Sequence, residues 1–151
     1  MLPKSDPVSI NCYTDASSHH HNGIHSSSVA CVIVVNGSKT ILGASGRIIG
    51  NFSPTVSEMV AICYGLEQVK LVCKDLGVSI GQLGICSDNQ SVVDICVGDS
   101  KTDSLQMLKL LESIDKLCEG FNSVSFQWVR GHAANPYNKL ADKIAYSILK
   151  G

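Results

Sequence analysis

Residues 29–35 read VACVIVV, and Asn36-Gly37 follows them directly. β-Branched residues favour strands, and Asn-Gly is a strong signal for a tight hairpin turn. Residues 40–49, TILGASGRII, then return as a partner strand. The pattern predicts an antiparallel hairpin at this point in the chain.

The segment before this hairpin starts apolar and becomes polar. Residues 8–13 predict a strand that ends at Thr14-Asp15, and residues 16–28 form a polar stretch with Gly23 inside it. We interpret the polar stretch as a flexible loop. It also contains His19-His20-His21 and His25, and imidazoles bind zinc, copper or nickel, so a transition-metal site is the alternative interpretation.

The pattern after the hairpin changes to a helical period. Ser53-Pro54 is a typical helix start, with a capping hydroxyl and proline in the first turn, and the helix is predicted to reach about residue 75, before Gly77. Asp103 is predicted to cap a later helix. A strand is predicted at residues 82–87, two helices at 90–97 and 104–119, a strand at 123–129, and a last helix from Asn135-Pro136 onward.

This order predicts an α/β fold built on a mixed five-stranded sheet. The first three strands can pair antiparallel, and strands joined through helices are expected to run parallel to the first. The chain has 151 residues and no recognisable linker or repeat, so we expect one domain over residues 1–151 with its core at about 8–149.

Composition narrows the classes of function. With 44% hydrophobic residues, 17% charged residues and a formal net charge of −1, the chain does not have the strongly basic balance of a protein that binds nucleic acid by bulk electrostatics. No apolar run approaches a membrane span, and the N-terminus lacks the apolar core of a signal peptide. None of the seven cysteines forms a CxxC pair, so we expect buried thiols in a reduced, cytoplasmic protein.

Four of the 13 acidic residues stand out by position. Asp15 and Asp88 follow apolar strands, and the strand ends of an α/β sheet are where sites gather. Glu58 lies one turn into the first long helix, and Asp142 lies in the second turn of the last. Individually, each could be a turn residue, a favourable charge near a helix N-terminus or a solvated side chain. If they converge, they form a site for hard cations such as Mg²⁺ or Mn²⁺.

The segments around these carboxylates resemble the signatures of type 1 ribonuclease H. The first three are Thr14-Asp15-Ala16-Ser17, Ser57-Glu58-Met59 and Ser87-Asp88-Asn89-Gln90. The most specific is Trp128-Val129-Arg130-Gly131-His132, followed by Asn138 and then by Asp142, ten residues after His132. The similarity covers residues 9–146 in the family order. It implies a ribonuclease H-like fold in which the four carboxylates converge.

The resemblance implies two-metal hydrolysis of the RNA strand of an RNA–DNA hybrid, leaving 5′-phosphate and 3′-hydroxyl ends. Two Mg²⁺ ions, with Mn²⁺ as a possible substitute, would be held by Asp15, Glu58, Asp88 and Asp142. Asp15 would contact both ions, Asp142 would complete the site that activates water, and the other two would hold the ion at the leaving oxygen. His132 would act in proton handling or product release.

Substrate contacts are implied by the same resemblance at Gln90, Asn138, Arg130 and Thr55, and the histidine segment would line the hybrid. Two departures from the family pattern lower the expected affinity for the hybrid. The amide-rich triplet that often precedes the catalytic glutamate is replaced by Ser53-Pro54-Thr55, and a basic, tryptophan-rich protrusion is missing. We therefore expect weak hybrid binding with a steep salt dependence.

Two other functions remain open at this point. One is the ribonuclease H domain of a reverse-transcriptase polyprotein, and the other is a catalytically weak module that only binds hybrids. In each case we expect the RNA–DNA hybrid as the partner, no membrane association, no obligate protein partner and a monomeric state.

Overall fold

A computed structural model describes residues 6–21, 23–131 and 135–150 of the chain. Five strands and four helices are present in this part. The strands are β1 (Val8–His21), β2 (Ile24–Val35), β3 (Ile41–Gly50), β4 (Ile80–Ser87) and β5 (Val124–Trp128). The helices are α1 (Pro54–Leu76), α2 (Gln90–Val97), α3 (Leu105–Cys118) and α4 (Pro136–Lys150).

The strands form one mixed sheet in the order β3-β2-β1-β4-β5. β2 pairs antiparallel with both β1 and β3, whereas β4 pairs parallel with both β1 and β5. This arrangement confirms the predicted α/β class and the predicted change from antiparallel to parallel pairing. α1 packs on one face of the sheet with α3 against it, and α4 packs on β1, β2 and β3.

The first hairpin is longer than the sequence predicts, and the interpretation of residues 16–28 as a flexible loop is wrong. β1 continues through this segment to His21, with Ser17 opposite Ser28 and His20 opposite His25. Strands pair through hydrogen bonds between backbone groups. Residues with polar side chains can therefore continue the pairing once their apolar neighbours have set its register. The two serines buried on β2 have partners, because Ser27 Oγ donates to the carbonyl of Phe52 at 3.1 Å and Ser28 Oγ donates to that of Ala145.

The first long helix begins and ends as predicted. Ser53 Oγ accepts a hydrogen bond from the N–H of Val56 at 3.3 Å, Pro54 lies in the first turn, and Gly77 ends the helix in the left-handed region with φ 69°. One predicted cap is wrong. Ser104, not Asp103, caps α3, because its Oγ accepts from the N–H of Met107 at 3.3 Å and the helix starts one residue later than expected.

The core lies mainly between α1 and the sheet, and the cysteines contribute to it. All seven are free thiols, of which Cys12, Cys31, Cys73 and Cys86 are buried and the other three are half-buried. Within the part of the chain that the structure describes, no helix has the length and apolar character needed to cross a bilayer.

Candidate active site

Three carboxylates, one on β1, one on α1 and one directly after β4, meet at the carboxyl end of β4. The last residue pair between the parallel strands β1 and β4 is Thr14 with Ser87, so Asp15 and Asp88 are the next residues on each chain segment. Glu58 reaches the same point from α1. Each side chain offers one oxygen, and the three oxygens lie within 4.8 Å of one another. The predicted convergence is therefore present for these three residues.

The position of Asp15 differs in one respect from the expectation. It lies in the middle of β1 and does not end it, because β1 runs beyond the end of β4 to His21. Asp15 is only 4% exposed. Its carboxylate is therefore held by a strand that is paired on its β2 side, with Ala30 opposite it, and not by a turn.

Glu58 is positioned by a close contact between α1 and β1. A β-carbon at Gly65 would lie 2.6 Å from Cγ2 of Thr14 and 3.0 Å from the sulfur of Cys12, so only glycine lets the helix come this near. Oε1 of Glu58 then accepts a hydrogen bond from the backbone N–H of Ala16 at 3.2 Å. The result is a glutamate that is 8% exposed and fixed directly to the strand that carries Asp15.

Asp142 lies at the solvent-facing rim of this cluster. It is an exposed residue of α4, the helix that packs on β1. It is within hydrogen-bonding reach of Asp15, which raises the pKa of Asp15, and its charge raises the pKa of Glu58. The fourth predicted carboxylate thus adjoins Asp15 and Glu58 without belonging to the tightest group.

The electrostatics of the cluster disfavour a fully ionised state in the absence of a cation. Burial, and then the charges of Glu58 and Asp88, raise the pKa of Asp15 to about 10. Burial, and then the charge of Asp88, raise the pKa of Glu58 to about 8. Carboxylates that are buried together repel one another, so the site retains protons at neutral pH unless a cation replaces them.

The donor atoms fit a divalent metal ion. Oε2 of Glu58 is buried and has no hydrogen-bond partner among the described residues, although Oε1 of the same carboxylate has one. A buried carboxylate oxygen without a partner is costly, and coordination to a cation would remove that cost. All the ligand atoms are carboxylate oxygens, which suit hard cations such as Mg²⁺ or Mn²⁺ better than zinc.

Asp88 is held by two residues for which sequence reasoning assigned no role. The indole N–H of Trp128 donates to the backbone carbonyl of Asp88 at 3.1 Å. A β-carbon at Gly131 would lie 2.9 Å from Oδ2 of Asp88 and 3.3 Å from its Cβ. Both residues belong to the family signature that begins at Trp128, so the signal was present, but only the contacts reveal that Trp128 and Gly131 lie against Asp88.

The other predicted residues lie around the cluster in different settings. Asn138 is 1% exposed in the first turn of α4, and its Nδ2 has no partner among the described residues. Gln90 opens α2, Thr55 lies one turn before Glu58 in α1, and both are exposed. The remaining two differ again: Arg130 is exposed just beyond β5, and His132 lies outside the described residues.

Comparisons with known proteins agree with this geometry. The sequence profile of a family described as reverse transcriptase-like matches residues 14–147. A ribonuclease H of Desulforamulus reducens is 29% identical over 154 aligned positions, which cover 93% of this chain and 87% of that protein.

Two solved structures have the same fold. The ribonuclease H1 of the halophilic archaeon Halobacterium salinarum superposes with a TM-score of 0.77 at 23% identity, covering 93% of this chain and 97% of that one. LC11-RNase H1, solved in complex with an RNA/DNA hybrid, superposes with a TM-score of 0.74 at 16% identity, covering 93% and 99%. Since the family profile spans nearly the whole chain and the sheet order and acidic cluster accompany it, the chain belongs to the reverse transcriptase-like family.

Proposed function

We propose that this protein is a ribonuclease H that hydrolyses the RNA strand of RNA–DNA hybrids and leaves 5′-phosphate and 3′-hydroxyl ends. The observation that carries the proposal is the convergence of Asp15, Glu58 and Asp88 within 4.8 Å, with Asp142 at their rim. The similarity to the ribonuclease H of Desulforamulus reducens supports the reaction, and the crystal complex of LC11-RNase H1 with an RNA/DNA hybrid supports the choice of substrate.

The four carboxylates would hold two divalent cations during catalysis, with Mg²⁺ preferred and Mn²⁺ as a substitute. Bound there, the ions supply the charge that activates the attacking water and stabilises the leaving 3′ oxygen. Asp15 would contact both ions. Asp142 would help to hold the ion that activates water, and Glu58 and Asp88 would hold the ion at the leaving oxygen. The chain contributes rigidity: the N–H of Ala16 fixes Glu58.

The substrate would be positioned by residues around the cluster. Gln90 and Thr55 are close to Asp88 and Glu58 in the chain, and Arg130 precedes Gly131, which lies against Asp88. All three side chains are exposed, and we propose that they contact the hybrid. The buried amide nitrogen of Asn138 has no partner among the described residues, which suits a group that completes its hydrogen bonds only when substrate arrives. We further propose that His132 assists proton transfer or product release.

The test is cleavage of an end-labelled RNA–DNA hybrid compared with duplex RNA and single-stranded RNA, in Mg²⁺, Mn²⁺ or chelator. We expect cleavage of the hybrid alone, supported by either metal. Product ends are identified by phosphatase sensitivity. Activity that survived chelation would contradict the metal-dependent mechanism, and equal cleavage of duplex RNA would contradict the substrate assignment.

The hybrid-binding alternative is less well supported. A module that binds without cutting has no need of a complete carboxylate set, and all four residues are retained at the site. The polyprotein alternative would use the same active site, so a cleavage assay does not distinguish a domain of a polyprotein from a stand-alone enzyme. The size of the protein detected by immunoblot in its own cells does.

We also propose a single domain that works as a monomer in a reducing compartment such as the cytoplasm, without an obligate protein partner. Helices α1 and α4 both pack on the one sheet, and all seven cysteines are free thiols. A single cooperative unfolding transition, a monomeric mass by light scattering and a cytoplasmic location by cell fractionation are the expected results.

A further inference from the structure

The outer end of the β1–β2 hairpin is a chemically distinct part of the molecule. β1 pairs with β4 only as far as Thr14, and β2 pairs with β3 only as far as Ser27, so beyond these points the two strands pair with each other alone. Residues 16–30 contain no Lys, Arg, Asp, Glu or Cys. The side chains that can bind an ion in this segment are therefore its histidines.

Two of these histidines face each other across the hairpin. His20 and His25 are directly opposite in the strand register, and their ring centroids are 6.0 Å apart at an interplanar angle of 73°. Two imidazoles that share one ion at metal–nitrogen distances of about 2.1 Å have ring centres roughly 5 Å apart in tetrahedral geometry. A side-chain rotation that moves the rings about 1 Å closer would bring both nitrogens to one ion.

The surroundings are suited to such an ion. His20 is exposed and His25 is half-buried, so the pair is accessible. The next pair on the same face is Ser18 with Ser27, whose hydroxyl oxygens are 3.3 Å apart and could hold a coordinated water. Because both strands are already paired, the two ligands are largely held in place before the ion binds.

We propose that His20 and His25 form a second metal site, which takes one transition-metal ion of the Zn²⁺, Cu²⁺ or Ni²⁺ class with water in the remaining positions. Neutral imidazole ligands select these ions over Mg²⁺, which prefers oxygen. His20 is five residues from Asp15 along β1, so at about 3.4 Å per residue the site lies roughly 17 Å from the carboxylate cluster. It is distinct from the proposed catalytic metals in both place and ligand type.

The test is zinc binding by untagged protein, in excess Mg²⁺ to occupy the carboxylates, measured by competition with a chromogenic zinc chelator. The variants are His20→Ala and His25→Ala, and the matched control is His19→Ala. Successive residues of a strand point to opposite faces, so residue 19 lies on the other side of the hairpin, opposite Ser26. Thermal unfolding of each variant verifies that it folds.

We expect one Zn²⁺ per chain for the wild type and for His19→Ala. Binding should be about tenfold weaker or worse in His20→Ala and in His25→Ala, since each loses one of only two protein ligands. The proposal is overturned if the wild type binds no zinc in this assay, if the two variants bind as tightly as the wild type, or if His19→Ala loses as much affinity as they do.

Discussion

The two halves of β1 show how different environments act on one strand. Up to Asp15 the strand lies between β2 and β4, and Ile10, Cys12 and Thr14 are fully buried. Beyond Ala16 it pairs with β2 alone and carries exposed polar side chains, as at His20. The inner half holds a carboxylate where water is scarce, so its pKa is strongly raised, whereas the outer half presents imidazoles to solvent. The metal site proposed for the first half depends on packing, and the one proposed for the second half depends on strand register.

The largest effect is expected from the inner half. Asp15→Asn preserves size but removes the charge at the centre of the cluster, so we expect hybrid cleavage to fall roughly a thousandfold or more, about 4 kcal/mol of transition-state stabilisation. Single-turnover cleavage in Mg²⁺ measures it. Asp75→Asn, an exposed carboxylate at the far end of α1, is the matched control and should cleave at the wild-type rate. Wild-type turnover in Asp15→Asn would overturn the proposed function.

Neutralising a carboxylate should also make the metal-free protein more stable. Glu58→Gln can keep the bond from the N–H of Ala16 while removing a buried charge, so we expect the free energy of unfolding at pH 8 to rise by about 2 kcal/mol. Urea denaturation in chelator measures this rise. A lower stability would mean that the ionised carboxylate is compensated by contacts within the protein.

The pH dependence of stability follows from the same raised pKa values. The pKa of a carboxyl group in the unfolded chain is about 4, whereas burial and neighbouring charges raise the pKa of Asp15 to about 10 and that of Glu58 to about 8 in the fold. Between these values the folded chain binds more protons than the unfolded chain, so the free energy of unfolding of the metal-free protein falls as pH rises from about 5 to about 8.

Urea denaturation across this pH range, with and without Mg²⁺, checks the expectation. Mg²⁺ binds the ionised cluster and should remove most of the fall, and Glu58→Gln should reduce it without metal. A stability that rises over the same range in chelator would contradict the electrostatics of the site.

A smaller effect is expected where the segment after β5 touches the cluster. In Gly131→Ala the added carbon would press on Asp88, so we expect kcat to fall about tenfold, or about 1.4 kcal/mol, with little change in stability. Steady-state kinetics separate kcat from KM. Gly120→Ala is the control, because its nearest contact would be an ordinary 3.4 Å. Equal kinetics for the two variants would remove Gly131 as a positioning residue.

The smallest effect is expected in the outer half of β1. His19→Ala changes an exposed side chain outside the packed layers, so the free energy of unfolding should change by less than about 0.5 kcal/mol. Urea denaturation at neutral pH tests this. A loss comparable to that of a buried residue would mean that the hairpin end is part of the cooperative core and would remove the contrast between the two halves.

Sequence reasoning was most accurate where one local rule decides the structure. Helix α1 begins after Ser53 and ends before Gly77, as predicted, because helix capping and a left-handed backbone conformation are local properties. It was wrong at residues 16–28 because polar side chains do not reveal that their backbone is paired with a strand that follows in the chain. The choice of Asp103 over Ser104 as a cap was wrong by one residue, since both residue types cap helices well.

For the candidate site, the residues were predictable but their geometry was not. The family signatures identified Asp15, Glu58, Asp88 and Asp142. Position at a strand end or in a helix, taken alone, left other interpretations open for each of them. Contacts between distant segments, such as Gly131 against Asp88 and Gly65 against Thr14, depend on how elements pack. No local pattern specifies such distances.

The bond from Trp128 to the backbone of Asp88 has a practical consequence. Trp128 is the only tryptophan in the chain, it is 47% exposed, and its indole N–H is engaged at the proposed metal site. Its fluorescence is therefore a native optical probe of this edge of the sheet. Ion or hybrid binding could be followed in real time on the unlabelled wild-type protein, without introducing a dye beside the residues under study.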